Sequence, residues 1–379
     1  MKIVRTDRPV LINSDGAVIL YKPFVRYVVS DYEAECLLSG VKVNWQWSSF
    51  NPYERRYGGQ DLNGKSVCIY RHTAFGDQLM ISAVPKYLKT LYPRSIVHFY
   101  CHPNMTELWR GSSFIDGGAL PIPMELDALR AYDYHILYEG MLENNGEDDQ
   151  ENCYDDFFSF IGLRDVPDEF KKPFIFMLPT DIELLPEDAK HLVVRNCKYV
   201  IVHVSPANKN RCYPPQQAKG LVEIFLNDES FKSYSVVLVG KEDAWVRGVF
   251  DVFEGHSRVI NLIDRVKNFR GLIPLVQGAS AVVCPDSSLL HLAAGLKVPT
   301  VSLWGLFHPN DRAKYYKTDH PIFRKEACKF APCRNHDFTL PLEKCTKNEL
   351  WVDGSEYCLA LSFITAEKIM KVLKEVVFS

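Results

Sequence analysis

Several features that define specialised classes of protein are missing from this sequence. No apolar run approaches the roughly 20 residues that span a bilayer, and the first residues lack the apolar core of a signal peptide. No internal repeat or low-complexity tract is present, which argues against solenoid and fibrous architectures. The net charge is only -3, which argues against a surface built throughout to bind nucleic acid. We therefore expect a cytoplasmic globular protein.

The composition is that of an ordinary globular protein with a sizeable core. Its 379 residues, 47% of them hydrophobic, favour two domains over one. The 11 cysteines are scattered and odd in number, which indicates reduced thiols with one exception. Near the C-terminus, Cys328, Cys333, Cys345 and Cys358 could form a closed structural zinc site. Their irregular spacing leaves ordinary thiols as the alternative.

Strand-like and helix-like segments alternate in two sets. In the first set, Val67–Tyr70, Ile96–Tyr100 and Tyr134–Tyr138 are predicted strands, and Leu79–Leu91 is a predicted helix. The second set has predicted strands at 199–204, 236–239, 259–262, 281–284 and 300–304, separated by helical stretches. This alternation predicts an α/β fold with two doubly wound, Rossmann-like domains that face each other across a cleft.

The same alternation sets the domain boundaries. We expect an N-terminal extension over 1–62 that packs on the first domain, and the first domain itself over 63–180. A linker follows over 181–198, and the second domain covers 199–360. The last segment, 361–379, contains an amphipathic helix that either packs on its own domain or reaches another.

The most informative segment is CPDSSLLHLAAGLKVPTVSLWG, residues 284–305, where an apolar strand passes into a helix near Ser287. The first turn of that helix offers backbone N–H groups and the positive end of the helix dipole, which suit a diphosphate. Ser287 and Ser288 can donate hydroxyl hydrogen bonds, whereas Asp286 would repel phosphate and is expected to meet a ribose hydroxyl or the backbone. The alternative is a plain N-cap, with His291 as a core residue.

Positive charge for a diphosphate must come from the protein itself. The sequence contains no Asp-x-Asp triplet, the usual carboxylate pair for a metal-bound nucleotide diphosphate. After the first strand of the second domain, VSPANKNRCYPP places Ser205 at the strand end and Lys209 and Arg211 in the following loop. These cations could clamp phosphate oxygens, Arg211 in a bidentate manner. The alternative is a surface loop with two solvated cations.

A second chemical signal lies in the first domain, in YRHTAFGDQL, residues 70–79. Gly76 permits a tight turn after the strand, and Asp77 lies at the start of the next helix. A carboxylate at this position could accept the proton of an acceptor hydroxyl as a general base. A helix N-cap is the alternative role for Asp77.

Four segments together resemble the ADP-heptose:lipopolysaccharide heptosyltransferase family, whose members are inverting sugar-nucleotide transferases of the GT-B fold. They are YRHTAFGDQLMISAVPKYLKTLYP, SPANKNRCYP, VVLVGKED and CPDSSLLHLAAGLKVPTVSLWG, and their order and spacing match from about Asn63 to the C-terminus. The resemblance implies that Asp77 is the catalytic base, with Arg71 and Gly76 on the acceptor side. It also implies that Arg211 is the phosphate-binding cation, a position usually held by lysine.

The remaining implied positions concern the donor and the C-terminal helix. The resemblance implies that Glu242 lies near the ribose, that the Lys267 backbone lies near the base, and that the C-terminal helix crosses back to the first domain. With the residues proposed from the strand ends and loops themselves, the full predicted donor set is Ser205, Lys209, Arg211, Gly240, Glu242, Lys267, Asp286, Ser287, Ser288 and His291.

The sequence also departs from the family. The turn after the strand is typically Asp-Thr-Gly, and here it is Asp286-Ser287-Ser288, which keeps a hydroxyl but loses a glycine that favours close backbone approach. Outside the resemblance, VNWQWSSFNPYERRYGG at 43–59 interleaves aromatic residues with Arg55 and Arg56. Such side chains could stack on sugars or exposed bases, or could form a packed hairpin.

These features predict an inverting, metal-independent glycosyltransferase. It would need no cofactor for catalysis, and it would move a sugar from a nucleotide-diphosphate sugar to a hydroxyl of a saccharide or glycolipid. Two alternatives remain open. One is the same chemistry on a hydroxylated base in nucleic acid, and the other is a sugar-nucleotide-binding protein without turnover.

Overall fold

The computed structural model describes residues 1–14, 17–40, 45–49, 51, 54–72, 74–144, 152–206, 209–266, 268–334 and 357–379. The chain forms two compact units, Met1–Phe176 and Met177–Ser379. Within the described ranges, no helix combines the length and the apolar composition that crossing a bilayer requires.

The first unit is built on a parallel sheet. Its strands are β1 (Lys2–Thr6), β2 (Val10–Ser14), β3 (Ala17–Tyr21), β4 (Arg26–Val29), β5 (Trp45–Ser49), β6 (Ser66–Arg71), β7 (Ile96–Cys101), β8 (Ala119–Pro121), β9 (Met124–Glu125) and β10 (Tyr134–Leu137). Its helices are α1 (Asp31–Gly40), α2 (Phe75–Ile81), α3 (Ala83–Leu91), α4 (Leu126–Arg130), α5 (Met141–Asn144) and α6 (Cys153–Phe160). The parallel sheet has the order β10-β6-β7-β8.

Sequence patterning explains the centre of this unit. Strand β6 is buried almost throughout, as expected for a parallel strand covered on both faces. The single helix predicted over Leu79–Leu91 is instead two helices, α2 and α3, which meet at Ser82. Pro85 lies in the first turn of α3, where its missing N–H costs no hydrogen bond, and it therefore favours a new helix over a continuous one.

The N-terminal extension forms antiparallel structure on this unit. Strand β1 pairs with β4 and β5, β4 pairs with β9, and β2 and β3 form a separate hairpin. Val4, Tyr27 and Val28 share a hydrophobic cluster with Tyr70 of β6 and Tyr100 of β7. Burial of this cluster holds the extension against the parallel sheet.

The second unit has a six-stranded parallel sheet. Its strands are β11 (Tyr199–Ser205), β12 (Ser235–Gly240), β13 (Val259–Asn261), β14 (Ala281–Pro285), β15 (Thr300–Trp304) and β16 (Asp319–Phe323). Its helices are α7 (Glu187–Val194), α8 (Pro215–Asn227), α9 (Leu272–Gln277), α10 (Ser288–Gly295), α11 (Pro309–Arg312), α12 (Leu359–Ser362) and α13 (Ala366–Phe378). The order is β13-β12-β11-β14-β15-β16. From β11 the chain adds β12 and β13 on one side of the sheet and then returns to add β14, β15 and β16 on the other side. The carboxyl ends of β11 and β14, where this order reverses, are therefore the expected ligand site.

The structure differs from the predicted boundaries in two places. The predicted linker 181–198 contains α7, whose Ala189 and Leu192 are buried, and belongs to the second unit. The prolines that suggested a linker begin short helical segments instead, where proline is favoured.

The predicted crossing of the C-terminal helix is the second difference. Helix α13 belongs to the second unit and packs against α8. Ile369, Met370 and Leu373 enter the main core of that unit, because the apolar face of α13 covers its sheet. The alternative of a helix packed on its own domain therefore describes α13.

Candidate active site

The carboxyl edge of the second sheet gathers the predicted donor residues. Strand β11 ends at Ser205, β14 ends at Pro285, and β15 ends at Trp304. Strand β14 lies between β11 and β15, and all three run parallel, so the loops that follow them leave the sheet at the same edge.

The turn after β14 leads directly into α10. Asp286 is only 4% exposed, and Ser287 adopts an extended backbone with φ of −155° before the first helical residue, Ser288. The Ser287 side chain does not cap the helix, and its Oγ lies 3.1 Å from His203 Nδ1. Asp286, Ser287 and Ser288 all have negative φ. Ser288, which stands where the family typically has glycine, therefore introduces no backbone strain.

Two arginines approach the Asp286 carboxylate. Arg211 Nη1 lies 3.9 Å from Asp286 Oδ2, and Arg312 Nη1 lies 3.5 Å from the same oxygen. Both guanidinium groups also lie near the Phe307 ring. The structure thus brings together the predicted Arg211 and Asp286 and adds Arg312, which the sequence interpretation missed. The sequence feature that could have identified Arg312 is a cation in the segment that follows the neighbouring strand β15.

His291 is a buried residue of α10. Its Nδ1 lies 2.7 Å from Tyr316 Oη, and only 1% of the residue is exposed. Burial lowers the pKa of His291 to about 3, so the ring is neutral at physiological pH. This geometry is that of a packed core histidine, which was the alternative to a ligand contact.

The residues at and after the end of β12 are those predicted to lie near the ribose of the donor. Ser205 Oγ donates a hydrogen bond of 2.6 Å to Asp243 Oδ2, a carboxylate that the sequence interpretation did not include. Gly240 has a φ of 147°, and a Cβ there would lie 3.1 Å from the Ser205 nitrogen, so this close strand approach requires glycine. Glu242 is exposed, and its backbone N–H donates to Asp264 Oδ2 at 2.9 Å.

Two predicted cations cannot be assigned contacts. The backbone of Lys209 lies in a short 3₁₀ turn, Lys209–Arg211, but its side chain lies outside the described part of the chain. Lys267 lies entirely outside the described residues. Both positions stay predictions.

The first unit holds the predicted base in a buried ion pair. Arg71, the last residue of β6, donates from Nη2 to Asp77 Oδ2 at 2.5 Å and from Nη1 to the Tyr138 carbonyl at 2.9 Å. Arg71 is 1% exposed and Asp77 is 6% exposed. Asp77 and Gly76 lie in the first turn of α2, which follows Ala74 with a φ of 55°. The structure therefore brings Arg71 and Asp77 together and fixes the orientation of the carboxylate.

A second carboxylate reaches this strand end from the N-terminal extension. Glu33 of α1 lies 3.3 Å from His72 Nδ1 and accepts hydrogen bonds from the hydroxyls of Tyr21 and Tyr70. Burial alone would lower the pKa of His72, but the hydrogen bond and charge of Glu33, with the charge of Glu139, outweigh burial and raise this pKa. No sequence pattern links Glu33 to this strand end, because they come from segments that are distant in sequence.

The described part of the aromatic and arginine segment is packed within the first unit. Tyr57 is fully buried. Arg55 donates to the Arg130 carbonyl at 2.7 Å, and Arg56 donates to the Phe160 carbonyl and lies 4.0 Å from the Phe160 ring centroid. These contacts agree with the alternative of a packed segment rather than with side chains that stack on sugars or bases. The side chains of Trp45 and Trp47, and all of Phe50 and Tyr53, lie outside the described residues.

The C-terminal cysteines are described only in part. Within the described part of the chain, Cys328, Cys333 and Cys358 form no disulfide bond, and Cys345 lies outside it. Burial first, with the neighbouring charges of Cys333 and Cys328, raises the pKa of the Cys358 thiol to about 12. Cys328 and Cys358 also belong to one small hydrophobic cluster. Among the described residues, however, no group of three or more His, Cys, Asp or Glu side chains could hold a metal. Zinc stays a prediction that depends on Cys345.

Comparison with known proteins finds similarity to a family of sugar transferases over part of this chain. Residues 181–339 match the sequence model of glycosyltransferase family 9 (heptosyltransferase). No curated protein matches the chain. The predicted resemblance is confirmed by the family match, which also supports a glycosyltransferase.

Solved structures confirm the fold. ADP-heptose LPS heptosyltransferase II of E. coli has a TM-score of 0.60 and 14% identity, and the match covers 83% of this chain and 98% of that one. E. coli heptosyltransferase WaaC with ADP has a TM-score of 0.55 and 14% identity, over 82% and 99%. TibC of enterotoxigenic E. coli, an iron-containing dodecameric glycosyltransferase, has a TM-score of 0.58 and 14% identity, over 99% and 91%. The predicted α/β fold of the GT-B type is thus confirmed.

Proposed function

We propose that this chain, whose residues 181–339 carry a glycosyltransferase family 9 domain, transfers a sugar from a nucleotide-diphosphate sugar to an acceptor hydroxyl with inversion. One observation carries the proposal. Arg211 and the turn that begins α10 come together where the strand order of the second sheet reverses. A cation and a helix N-terminus at that place form a site for a diphosphate.

The donor diphosphate is held by protein groups. The first-turn N–H groups of α10 and the hydroxyls of Ser287 and Ser288 supply hydrogen-bond donors, and Arg211 and Lys209 supply positive charge. The absence of an Asp-x-Asp pair from the sequence supports catalysis without a metal ion. Glu242 faces the ribose, the Lys267 backbone lies near the base, and the rest of the set shapes the strand ends. That rest comprises Ser205, Gly240 and Asp286, whereas His291 lies buried in α10 with its Nδ1 2.7 Å from Tyr316 Oη.

Asp77 serves as the general base. Its carboxylate takes the proton of the acceptor hydroxyl while that oxygen attacks the anomeric carbon. The bond from this carbon to the diphosphate oxygen breaks on the opposite face, which inverts the configuration. Arg71 holds the Asp77 carboxylate in place, and the fixed dipoles and cations around the diphosphate stabilise the negative charge of the leaving group.

ADP-heptose is the first donor to test, because the similar WaaC and TibC structures contain ADP or ADP-linked heptose. A saccharide or glycolipid is the proposed acceptor, in line with the LPS heptosyltransferase among the similar structures. The nucleic acid alternative has no support here, because Arg55 and Arg56, which suggested it, contact backbone carbonyls of their own unit.

The proposal is tested by donor binding followed by transfer. A thermal-shift screen of nucleotide sugars should raise the melting temperature with the correct donor, since a ligand of the native state stabilises it. Release of the nucleoside diphosphate should then depend on an acceptor saccharide. Binding without any donor turnover, with or without acceptor, would favour the non-catalytic alternative.

The role of Asp77 has its own variant. Asp77→Asn should lower transfer by about 10²- to 10⁴-fold while donor binding persists, because only the proton acceptor is lost. Asp127→Asn is the matched control, since that side chain is 80% exposed on the same unit. Near-normal turnover of the Asp77→Asn protein would remove Asp77 from the mechanism.

Arg211→Ala should weaken nucleotide affinity in calorimetry, and unchanged affinity would remove Arg211 from the donor site.

A further inference from the structure

A second arginine lies at the donor edge, on a loop that no sequence motif identified. Arg312 is the last residue of α11, which follows β15, and it is 5% exposed. Its Nη1 is 3.5 Å from Asp286 Oδ2, the same oxygen that lies 3.9 Å from Arg211 Nη1. Two guanidinium groups from separate loops thus converge on one carboxylate oxygen.

The position of Arg312 is fixed by its neighbours. The Asp311 side chain accepts a hydrogen bond of 3.0 Å from the His308 backbone N–H, and the His308 side chain accepts one of 3.1 Å from Asn310. Arg334 contacts both oxygens of Asp311, at 3.2 and 3.0 Å. These contacts hold the short helix that carries Arg312. Its guanidinium group lies against Asp286 and the Phe307 ring, so it is preorganised for a ligand.

The Phe307 ring brings the two arginines together. Cζ of Arg312 lies 4.1 Å from the ring centroid, and Cζ of Arg211 lies 5.6 Å from it. Both distances allow attraction between a cation and the ring face. Like charges this close repel each other, and an anion between them offsets that repulsion. Asp286 is one such anion, and a diphosphate at the α10 N-terminus would be another.

We infer that Arg312 is a second diphosphate-binding cation and that it contacts the distal phosphate, the one bonded to the sugar. This inference rests on the proposed function. The sheet order β12-β11-β14-β15 supports it, because Glu242, on the proposed ribose side, follows β12, whereas Arg312 follows β15. Neighbouring strands are about 4.8 Å apart, so β12 and β15 are separated by about 14 Å across the sheet. A nucleotide whose ribose lies near β12 therefore extends its second phosphate toward β15.

The assignment predicts specificity at this end of the ligand. The site should prefer a nucleoside diphosphate over a monophosphate because Arg312 pairs with the phosphate that the monophosphate lacks. During transfer, the electron pair of the broken carbon–oxygen bond stays on that same phosphate. Arg312 therefore also stabilises the charge that develops on the leaving group.

Calorimetry with ADP and AMP tests the inference. Arg312→Gln should weaken ADP binding by about 10- to 100-fold, the usual effect of losing a hydrogen bond to a charged group, and should leave AMP affinity unchanged. Inorganic pyrophosphate and phosphate serve as a matching pair that does not depend on the base. Arg195→Gln is the control, because that arginine is exposed at the end of α7.

The possible outcomes separate the two proposals. If the wild-type protein binds no nucleoside diphosphate, the proposed function fails. If binding of ADP depends on Arg211 but Arg312→Gln binds ADP like the wild type, the inference about Arg312 fails alone. If Arg312→Gln does not fold, a crystal of the wild-type protein with ADP decides. An Arg312 nitrogen within about 3 Å of an oxygen of the distal phosphate supports the inference, and a longer separation without contact overturns it.

Discussion

The buried ion pair between Asp181 and Arg270 allows a sharp test of where the second unit begins. Asp181 lies in the predicted linker, yet its side chain is 0% exposed and that of Arg270 is 1% exposed. Arg270 Nε donates to Asp181 Oδ1 at 2.7 Å, and the Leu178 backbone N–H donates to Asp181 Oδ2 at 2.7 Å. Asp181→Ala would leave a buried guanidinium group without this carboxylate, so we expect a loss of about 3–5 kcal/mol of unfolding free energy.

Urea unfolding followed by tryptophan fluorescence measures this loss, with Trp304 as a buried reporter in the second unit. For a urea dependence of about 2–3 kcal/mol per molar, the midpoint should fall by about 1–2 M. Asp188→Ala is the control, because its pair with Arg265 is 49% and 47% exposed and should contribute about 0–1 kcal/mol. The double variant Asp181→Leu with Arg270→Met should regain much of the stability. If Asp181→Ala costs no more than the control, the segment is a linker after all.

Three further predictions concern titration and the thiols. Burial lowers the folded-state pKa of His203 to about 4 and that of His291 to about 3. Below pH 6.5 the unfolded chain therefore binds more protons at these two histidines than the folded chain does. The free energy of unfolding should accordingly decline as pH falls from about 6.5. Burial raises the pKa of Asp319 to about 7 and so opposes this trend, which means that melting curves of Asp319→Asn should fall more steeply with acid than wild-type curves. Glu33→Gln should lower the pKa of His72 in an NMR titration, and an unchanged pKa would show that Glu33 does not govern His72. Metal analysis decides between the two interpretations of the C-terminal cysteines: one zinc ion per chain that Cys328→Ser loses and Cys36→Ser keeps would support a zinc site, and metal-free native protein would leave them as ordinary thiols.

The sequence predicts the strands of both parallel sheets well, because each is a short apolar run between turn signals. The predicted strand 300–304 coincides with β15, and the others differ by one or two residues at their ends. Strands β8 and β16 were not predicted. In β16, Asp319, His320 and Pro321 make three of the five residues polar or proline, as edge strands permit. Helix α7 was interpreted as a linker because the prolines that precede it and its own charged residues obscure a narrow buried face.

The candidate site shows a different limit. Asp77, Arg211 and Asp286 were identified because each follows a recognisable strand. Arg312 and Glu33 were missed because each contacts a residue that is distant in sequence. Arg312 lies 26 residues beyond its partner Asp286, and Glu33 lies in the N-terminal extension, far from its partner His72. Local patterns predict which residues a loop offers, whereas pairing between loops depends on strand order, which local patterns do not reveal.

The arrangement at Asp286 also explains how a carboxylate can belong to the turn that we propose binds a diphosphate. Alone beside a diphosphate, Asp286 would repel it, which is why a ribose hydroxyl or the backbone was its expected partner. With Arg211 and Arg312 both within 4 Å of its Oδ2, Asp286 instead offsets the mutual repulsion of these two cations. Its burial strengthens these interactions, since charges at low exposure are poorly screened by salt. The proposed metal-independent donor site needs such a counter-charge, because two neighbouring arginines, one of them almost fully buried, would be costly to fold without it.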